Sequence, residues 1–265
     1  MAILEALGLT RVFGSLVAVN DLHLSIGAGQ MFGLLGPNGA GKSTTIKMLT
    51  TLLPPSSGTA FVDGLDIIRQ AGAVRRIIGY VPQLLSADGT LTGMENLLVF
   101  AKLYDIPRRE RQERVRAALD FMALSDAADR LVRQYSGGMI RRLEIAQSML
   151  HNPRVLFMDE PTVGLDPAAR RAVWDHIEQL RKRTGTTIIL TTHQMEEADA
   201  LCDRIAIMHL GVRVALGTPT ELKAAIGGNG ATLDDVFIHF TGSNLNSGGT
   251  YRETRRTRRR ARRLG

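Results

Sequence analysis

The nine residues from Gly36 to Thr44, GPNGAGKST, limit what this chain can fold into more than any other stretch. They fit the pattern G-x-x-x-x-G-K-[ST], with Gly36, Gly41, Lys42 and Ser43 at the fixed places. Gly36, Gly39 and Gly41 carry no Cβ, so the backbone can bend tightly and turn several N–H groups toward one point. A helix starting at about Lys42 aims the positive end of its dipole at the same point. Lys42 adds a full positive charge and Ser43 a hydroxyl for a Mg²⁺ ion. Such a nest suits the β- and γ-phosphates of a nucleotide. The flanks agree. Met31–Leu35 is an apolar, strand-like run, and Ile46, Leu49 and Leu53 share one helical face, which predicts a helix to about Leu53. The loop specifies a nucleoside triphosphate and leaves open what its energy is used for.

At 265 residues the chain can form one large domain or two small ones. An apolar fraction of 44% with 22% charged residues is ordinary for a soluble globular protein. No apolar run approaches the roughly 18 residues of a membrane span. The opening MAILEALGLTRVF carries Glu5 and no basic region, a poor secretory signal, so a cytosolic location is expected. A single cysteine, Cys202, allows no internal disulfide and reads as a small buried apolar residue. The net charge of +7 belongs to one appendix: residues 251–265 hold eight arginines against one acid, Glu253, so the body is electrically balanced.

Strands are expected at 2–7 and 20–26, where Leu22, Leu24 and Ile26 alternate with polar residues, with Phe13 in a short Gly-containing segment between them. Further short strands are expected at 59–63 and 77–82. From about 92 to 151 the pattern is helical. Thr92 and Glu95 make a capping box, a charged helix follows over 108–122, and a third helix starts near Ser136 and runs to His151. Strand character returns at 155–158 and 187–190. Asp166-Pro167 places a cap and a first-turn proline at the head of a helix over 167–183. Strands 204–209 and 212–216 form a hairpin around Gly211. The alternation predicts an α/β fold: a P-loop nucleotide-binding core with a mostly parallel sheet, an antiparallel β subdomain and an inserted helical subdomain over about 92–151.

The run Val155-Leu-Phe-Met-Asp159-Glu160 ends an apolar strand in two adjacent carboxylates. If the strand is still extended there, their side chains point in opposite directions. Asp159 is then placed for the Mg²⁺ shell and Glu160 for an attacking water. In Tyr135-Ser136-Gly137-Gly138-Met139, Ser136 reads as a helix N-cap, and two glycines leave the N–H groups of the first turn uncovered.

Taken together, GPNGAGKST, Gln83, YSGGM, Asp159-Glu160, Gly164-Leu165-Asp166 and His193 resemble the ATP-binding subunit of an ATP-binding-cassette (ABC) transporter over roughly residues 1–242. P-loop kinases and GTPases lack the SGG element. The resemblance implies roles. Gly36, Pro37, Asn38, Gly39, Ala40, Gly41, Lys42, Ser43 and Thr44 would hold the phosphates of ATP, and Ser43, Gln83 and Asp159 would hold Mg²⁺. Glu160 would be the general base, with Gln83 and His193 beside the γ-phosphate, and Phe13 would stack on adenine where the family usually has tyrosine. Ser136, Gly137 and Gly138 would contact the nucleotide of a second subunit, with Asp166 at the dimer interface. The commonest signature is LSGGQ. Here Tyr135 replaces leucine and Met139 replaces glutamine, which keeps the main-chain donors and puts the amide contact in doubt. The YSGGM-x-RRLE form and Leu233-Asp-Asp-Val-Phe237 resemble the branch serving drug and antibiotic exporters of the daunorubicin-resistance type.

The resemblance also implies partners: a second copy in an ATP-driven homodimer, and a separate integral-membrane permease docking around Gln83 to Leu97. The protein would then sit peripherally on the cytoplasmic face of the cell membrane. Residues 1–220 are expected to form the ATPase domain. A helical extension over 221–242 follows, with a second capping box at Thr232 and Asp235, and then a linker and arginine tail over 243–265. The tail could bind anionic lipid or RNA, or have no fixed partner, and no specific nucleic-acid partner is expected. Two other readings share the catalytic residues: a soluble ABC ATPase acting on ribosomes or DNA, and an importer ATPase. The cargo is not written in an ATP site.

Overall fold

The computed structural model describes residues 2–227 and 230–242; the linker and arginine tail over 243–265 lie outside them. In chain order the elements are β1 (Ala2–Phe13), β2 (Leu16–Gly27), β3 (Met31–Leu35), α1 (Lys42–Leu49), β4 (Ser57–Val62), β5 (Leu65–Asp66), α2 (Ala71–Ile77), β6 (Ile78–Val81), α3 (Gly93–Leu103), α4 (Arg108–Phe121), α5 (Gly137–Met149), β7 (Val155–Asp159), α6 (Pro167–Thr184), β8 (Thr187–Thr192), α7 (Met195–Leu201), β9 (Arg204–His209), β10 (Val212–Gly217), α8 (Pro219–Ala224) and α9 (Leu233–Thr241). They fall into two compact units, one holding residues up to Arg75 and from Thr187 onward, the other Arg76–Thr186.

The first unit contains two sheets. One is antiparallel, in the order β2-β1-β4-β5. It shows the expected alternation: Leu22, Leu24 and Ile26 are buried while Asp21, His23 and Ser25 face outward. The other runs β10-β9-β3-β8, with β3 parallel to both β8 and β9. Every residue of β3 and β8 is buried, the signature of strands covered on both faces. β9 and β10 form the expected hairpin, turned by Leu210 and Gly211, both at positive φ. Cys202 is buried, with its thiol against Gly33, where a Cβ would lie 2.7 Å from Sγ.

The second unit pairs β6 with β7 in parallel, Ile78 beside Val155 through Val81 beside Met158. Helices α3, α4, α5 and α6 belong to the same unit, with α5 packed on β6 and on each of the other three helices. The predicted capping box is formed at α3: Glu95 N–H donates to Thr92 Oγ1 at 3.1 Å, and Thr92 N–H donates to Glu95 Oε2 at 2.8 Å. Asp166 caps α6 by accepting from Ala168 and Ala169 at 3.0 and 2.9 Å, with Pro167 as its first residue. The box at Thr232 and Asp235 caps α9 in the same way.

Several expected boundaries shift. Phe13 is the last residue of β1, not part of a loop, because β1 and β2 run 12 residues each and absorb their irregularities as register shifts. The strand expected over 59–63 runs Ser57–Val62, and the one over 77–82 runs Ile78–Val81. Helix α1 ends at Leu49, one turn short of Leu53. Thr50 Oγ1 bonds back to the Ile46 carbonyl at 2.8 Å, and Thr51 turns to φ 63°. The two β-branched threonines thereby close the helix before Leu53 can join its face.

Candidate nucleotide site

In the first unit the P-loop is fixed by close backbone approaches. A Cβ on Gly36 would lie 2.3 Å from the Met208 carbonyl oxygen, and one on Gly41 would lie 2.5 Å from that of Ala18. Gly41, at φ 99°, is the N-cap of α1, so the helix starts at Lys42 as the sequence predicts. At Gly39 an added Cβ would meet nothing within 4 Å, so the crown of the loop opens on free space. Lys42 is buried and its ammonium donates to the carbonyls of Gly36 and Pro37 at 2.8 and 3.1 Å. The cation is thereby held at the mouth of the loop.

Two more predicted residues belong to this unit's site. The Gly36 N–H donates to the Thr192 carbonyl at 3.2 Å, and Leu35 pairs with Thr192 in register. The end of β8 and the half-buried His193 after it therefore adjoin the start of the loop. The hairpin β1–β2 carries Phe13, which pairs with Leu16; two residues on, Ala18 touches Gly41. Phe13 is 43% exposed, and the Arg11 guanidinium lies 4.6 Å from its ring centroid. Arg11 therefore covers one face of a ring that is otherwise partly open to solvent.

In the second unit, β7 ends at Asp159, and both Asp159 and Glu160 are buried. The condition attached to these two carboxylates is not met. Glu160 lies at φ 49°, in the left-handed region, so a turn of the backbone and not the pleat of an extended strand sets the direction of its side chain. Gln83 Nε2 donates to Glu160 Oε2 at 3.0 Å, which brings the two predicted catalytic residues of this unit together. Tyr80, one strand over, has its phenol pushed up to about 12 by burial and by the Asp159 carboxylate.

The start of α5 is the third feature. Ser136 is exposed and caps the helix, its Oγ accepting from Met139 N–H at 3.3 Å. Gly137 and Gly138 let the head of α6 come close: their Cβ atoms would lie 3.2 Å from Leu165 Cδ2 and 3.0 Å from Ala169 Cβ. Ser136, Gly137, Gly138 and Asp166 therefore share one patch, in which the glycine N–H groups at the start of α5 suit an anion while those of α6 are already taken by the Asp166 carboxylate. Sequence reasoning missed Arg141 and Glu144, which bind the loop carrying Gln83 from a distance of nearly 60 residues along the chain.

Residues 19–163 match the ABC transporter family, and the chain belongs to that family. It is an ATP-binding ATPase subunit, of the kind that works with membrane-embedded permease subunits. A daunorubicin/doxorubicin resistance ATP-binding protein of Streptomyces peucetius is 48% identical over 226 residues, 85% of this chain and 68% of that protein. A linearmycin resistance ATP-binding protein of Bacillus subtilis is 40% identical over 243 residues, 92% of this chain and 76% of that one. Among solved structures, the ATP-binding subunit of an ABC transporter superposes with a TM-score of 0.79 at 29% identity, covering 90% of this chain and 99% of its own. Among the described residues, no helix is long and apolar enough to cross a membrane.

Proposed function

We propose that this chain binds ATP with Mg²⁺, that two copies close head to tail around two nucleotides, and that hydrolysis drives export of a drug or antibiotic through a separate permease. The observation that carries the reading is the exposed Ser136 capping a 13-residue helix, with Gly137 and Asp166 beside it. A glycine-rich helix N-terminus facing outward is suited to grip a phosphate from a partner's side. The named resistance roles of the two relatives support export of such compounds.

In this reading Gly36 to Thr44 hold the phosphates, and Phe13 lies flat against adenine. Glu160 takes the proton of the attacking water, oriented by Gln83, and His193 contacts the γ-phosphate. A serine hydroxyl at 43, an amide oxygen at Gln83 and a carboxylate at Asp159 are hard oxygen donors, the set that Mg²⁺ takes. When bound, the ion supplies neutralisation of charge on the phosphate oxygens. The γ-phosphate is the contact that differs between the ATP and ADP states, so it favours the closed dimer and its loss releases it.

Residues 1–220 form the ATPase domain with the helical subdomain over 92–151 inserted, followed by the extension over 221–242. The protein works at the cytoplasmic face of the membrane. The permease docks on the segment from Gln83 to Leu97, where Leu84 and Leu85 are 82% and 52% exposed. The arginine tail over 251–265 adds contact with anionic lipid; its deletion weakens sedimentation with anionic vesicles. The central test is Glu160→Gln, which traps a dimer in ATP. Light scattering that finds only monomers of this variant in saturating ATP rejects the scheme.

A further inference from the structure

Arg141 and Glu144 lie in α5, one and two turns beyond Ser136, and form a buried ion pair at 3.0 Å. Both also bind the backbone of one loop, residues 82–87. Arg141 Nη1 donates to the Pro82 carbonyl at 2.7 Å and Nη2 to the Gln83 carbonyl at 2.9 Å. Glu144 Oε1 accepts from the Ser86 N–H, from Ser86 Oγ at 3.0 Å and from the Ala87 N–H at 3.3 Å. The cation takes the carbonyls at the loop's start, and the anion takes the amides at its end.

Beyond the clamp, the loop is held by the Gln83–Glu160 bond and, just past its end, by Asp88 and Asn96. Gln83, Leu84, Leu85 and Ser86 are all exposed. Charge-assisted bonds are shorter and stronger than neutral ones, and a guanidinium fork fixes two acceptors in one plane. Burial lowers the Arg141 pKa, and the carboxylates of Glu144 and Asp159 offset part of that fall. Replacing a buried ion pair by apolar groups is often neutral or stabilising, so fold stability alone does not account for placing charges here.

We propose that Arg141 and Glu144 are positioning residues for hydrolysis: they hold the 82–87 backbone so that the Gln83 amide meets Glu160, and they tie that loop to the helix begun by Ser136. The inference rests on the reading of Glu160 as the base. The Gln83 side chain is left out of the clamp and donates to Glu160 Oε2 at 3.0 Å. Any shift of α5 along its axis therefore carries the loop with it. A misplacement of about 1 Å at a reacting centre can cost on the order of 10²-fold in rate.

The test uses the full chain with Arg141→Met/Glu144→Leu, which keeps the site apolar and filled, and Arg141→Lys, which keeps the charge but loses the fork. A nitroxide on Leu84→Cys reports the loop, since the native Cys202 is buried. The double variant is expected to lose about 10- to 100-fold in kcat with its affinity for ATP within about twofold. Arg141→Lys is expected to fall between it and the parent. The nitroxide spectrum of the double variant sharpens as the loop is released. Wild-type kcat in the double variant, an unchanged nitroxide spectrum, or parallel loss of kcat and ATP affinity would each overturn the proposal. If the double variant fails to fold, unchanged kcat in Arg141→Lys overturns it. Absence of hydrolysis in the parent protein would sink the reading of Glu160, while the nitroxide still reports on the clamp.

Discussion

Gly93 and Tyr135 occupy one space between them. A Cβ on Gly93 would lie 2.3 Å from the Tyr135 phenol oxygen, which donates to the Ala127 carbonyl at 2.6 Å. This accounts for tyrosine immediately before the signature serine, where leucine is commoner. The ring fills the room that a side chain at 93 would need, and its hydroxyl adds a second bond to a carbonyl that also accepts from the Arg130 N–H. Ser136 is thereby anchored from behind.

Gly93→Ala is expected to destabilise the protein by about 1–3 kcal/mol through overpacking, read as a lower melting temperature. Tyr135→Phe removes one of two bonds to the Ala127 carbonyl, which still accepts from the Arg130 N–H at 3.0 Å, at a cost of about 0.5–1.5 kcal/mol. Because the two side chains share one volume, Gly93→Ala/Tyr135→Leu loses less than the sum of its single changes. Strict additivity would show that the clash is relieved elsewhere.

Lys42→Ala is expected to remove ATP binding, because its ammonium, which donates to the Gly36 and Pro37 carbonyls, is lost from the mouth of the loop. Gly41→Ala acts differently. Its Cβ meets the Ala18 carbonyl at 2.5 Å and its backbone sits at φ 99°, so melting temperature and binding fall together. Titration with a fluorescent ATP analogue, beside thermal melts, separates the two effects.

His151 gives the stability a pH dependence. Its ring stacks on Tyr104 with centroids 3.8 Å apart, and Nε2 donates to the Ile78 carbonyl at 2.9 Å. Burial holds its pKa below the ordinary 6.5. The unfolded chain therefore binds a proton more readily than the folded one. The neutral ring's contribution is complete above pH 6.5 and is lost as the pH falls from there through the depressed folded value. Melting temperature is expected to drop as the pH falls below about 6.5, and His151→Phe, which keeps the stack, is expected to drop less. Equal slopes for the two proteins would reject the assignment.

What could be read from the sequence was local. The P-loop, the caps at Thr92, Asp166 and Thr232, and the buried strands β3, β7 and β8 each declare themselves within a few residues. Helix α8 was also within reach, because Thr218-Pro219 with Glu221 is a capping box and Thr218 Oγ1 accepts from Glu221 N–H at 3.1 Å. Helices α2 and α7 have seven residues each, too few for a 3.6-residue period to show. The Arg141–Glu144 clamp and the Gly93–Tyr135 fit join residues about 40 to 60 positions apart, and periodicity does not carry pairings of that range.

Glu160 keeps its carboxylate on a left-handed backbone, a conformation that costs a residue with a Cβ roughly 1–2 kcal/mol. Glycine or asparagine at 160 would sit there at ease. Glu160→Gly and Glu160→Asn are therefore expected to melt above the parent while hydrolysing no ATP, measured by calorimetry beside phosphate release. If so, the sturdiest form of this molecule is an idle one, and selection for heat resistance alone would tend to silence the motor.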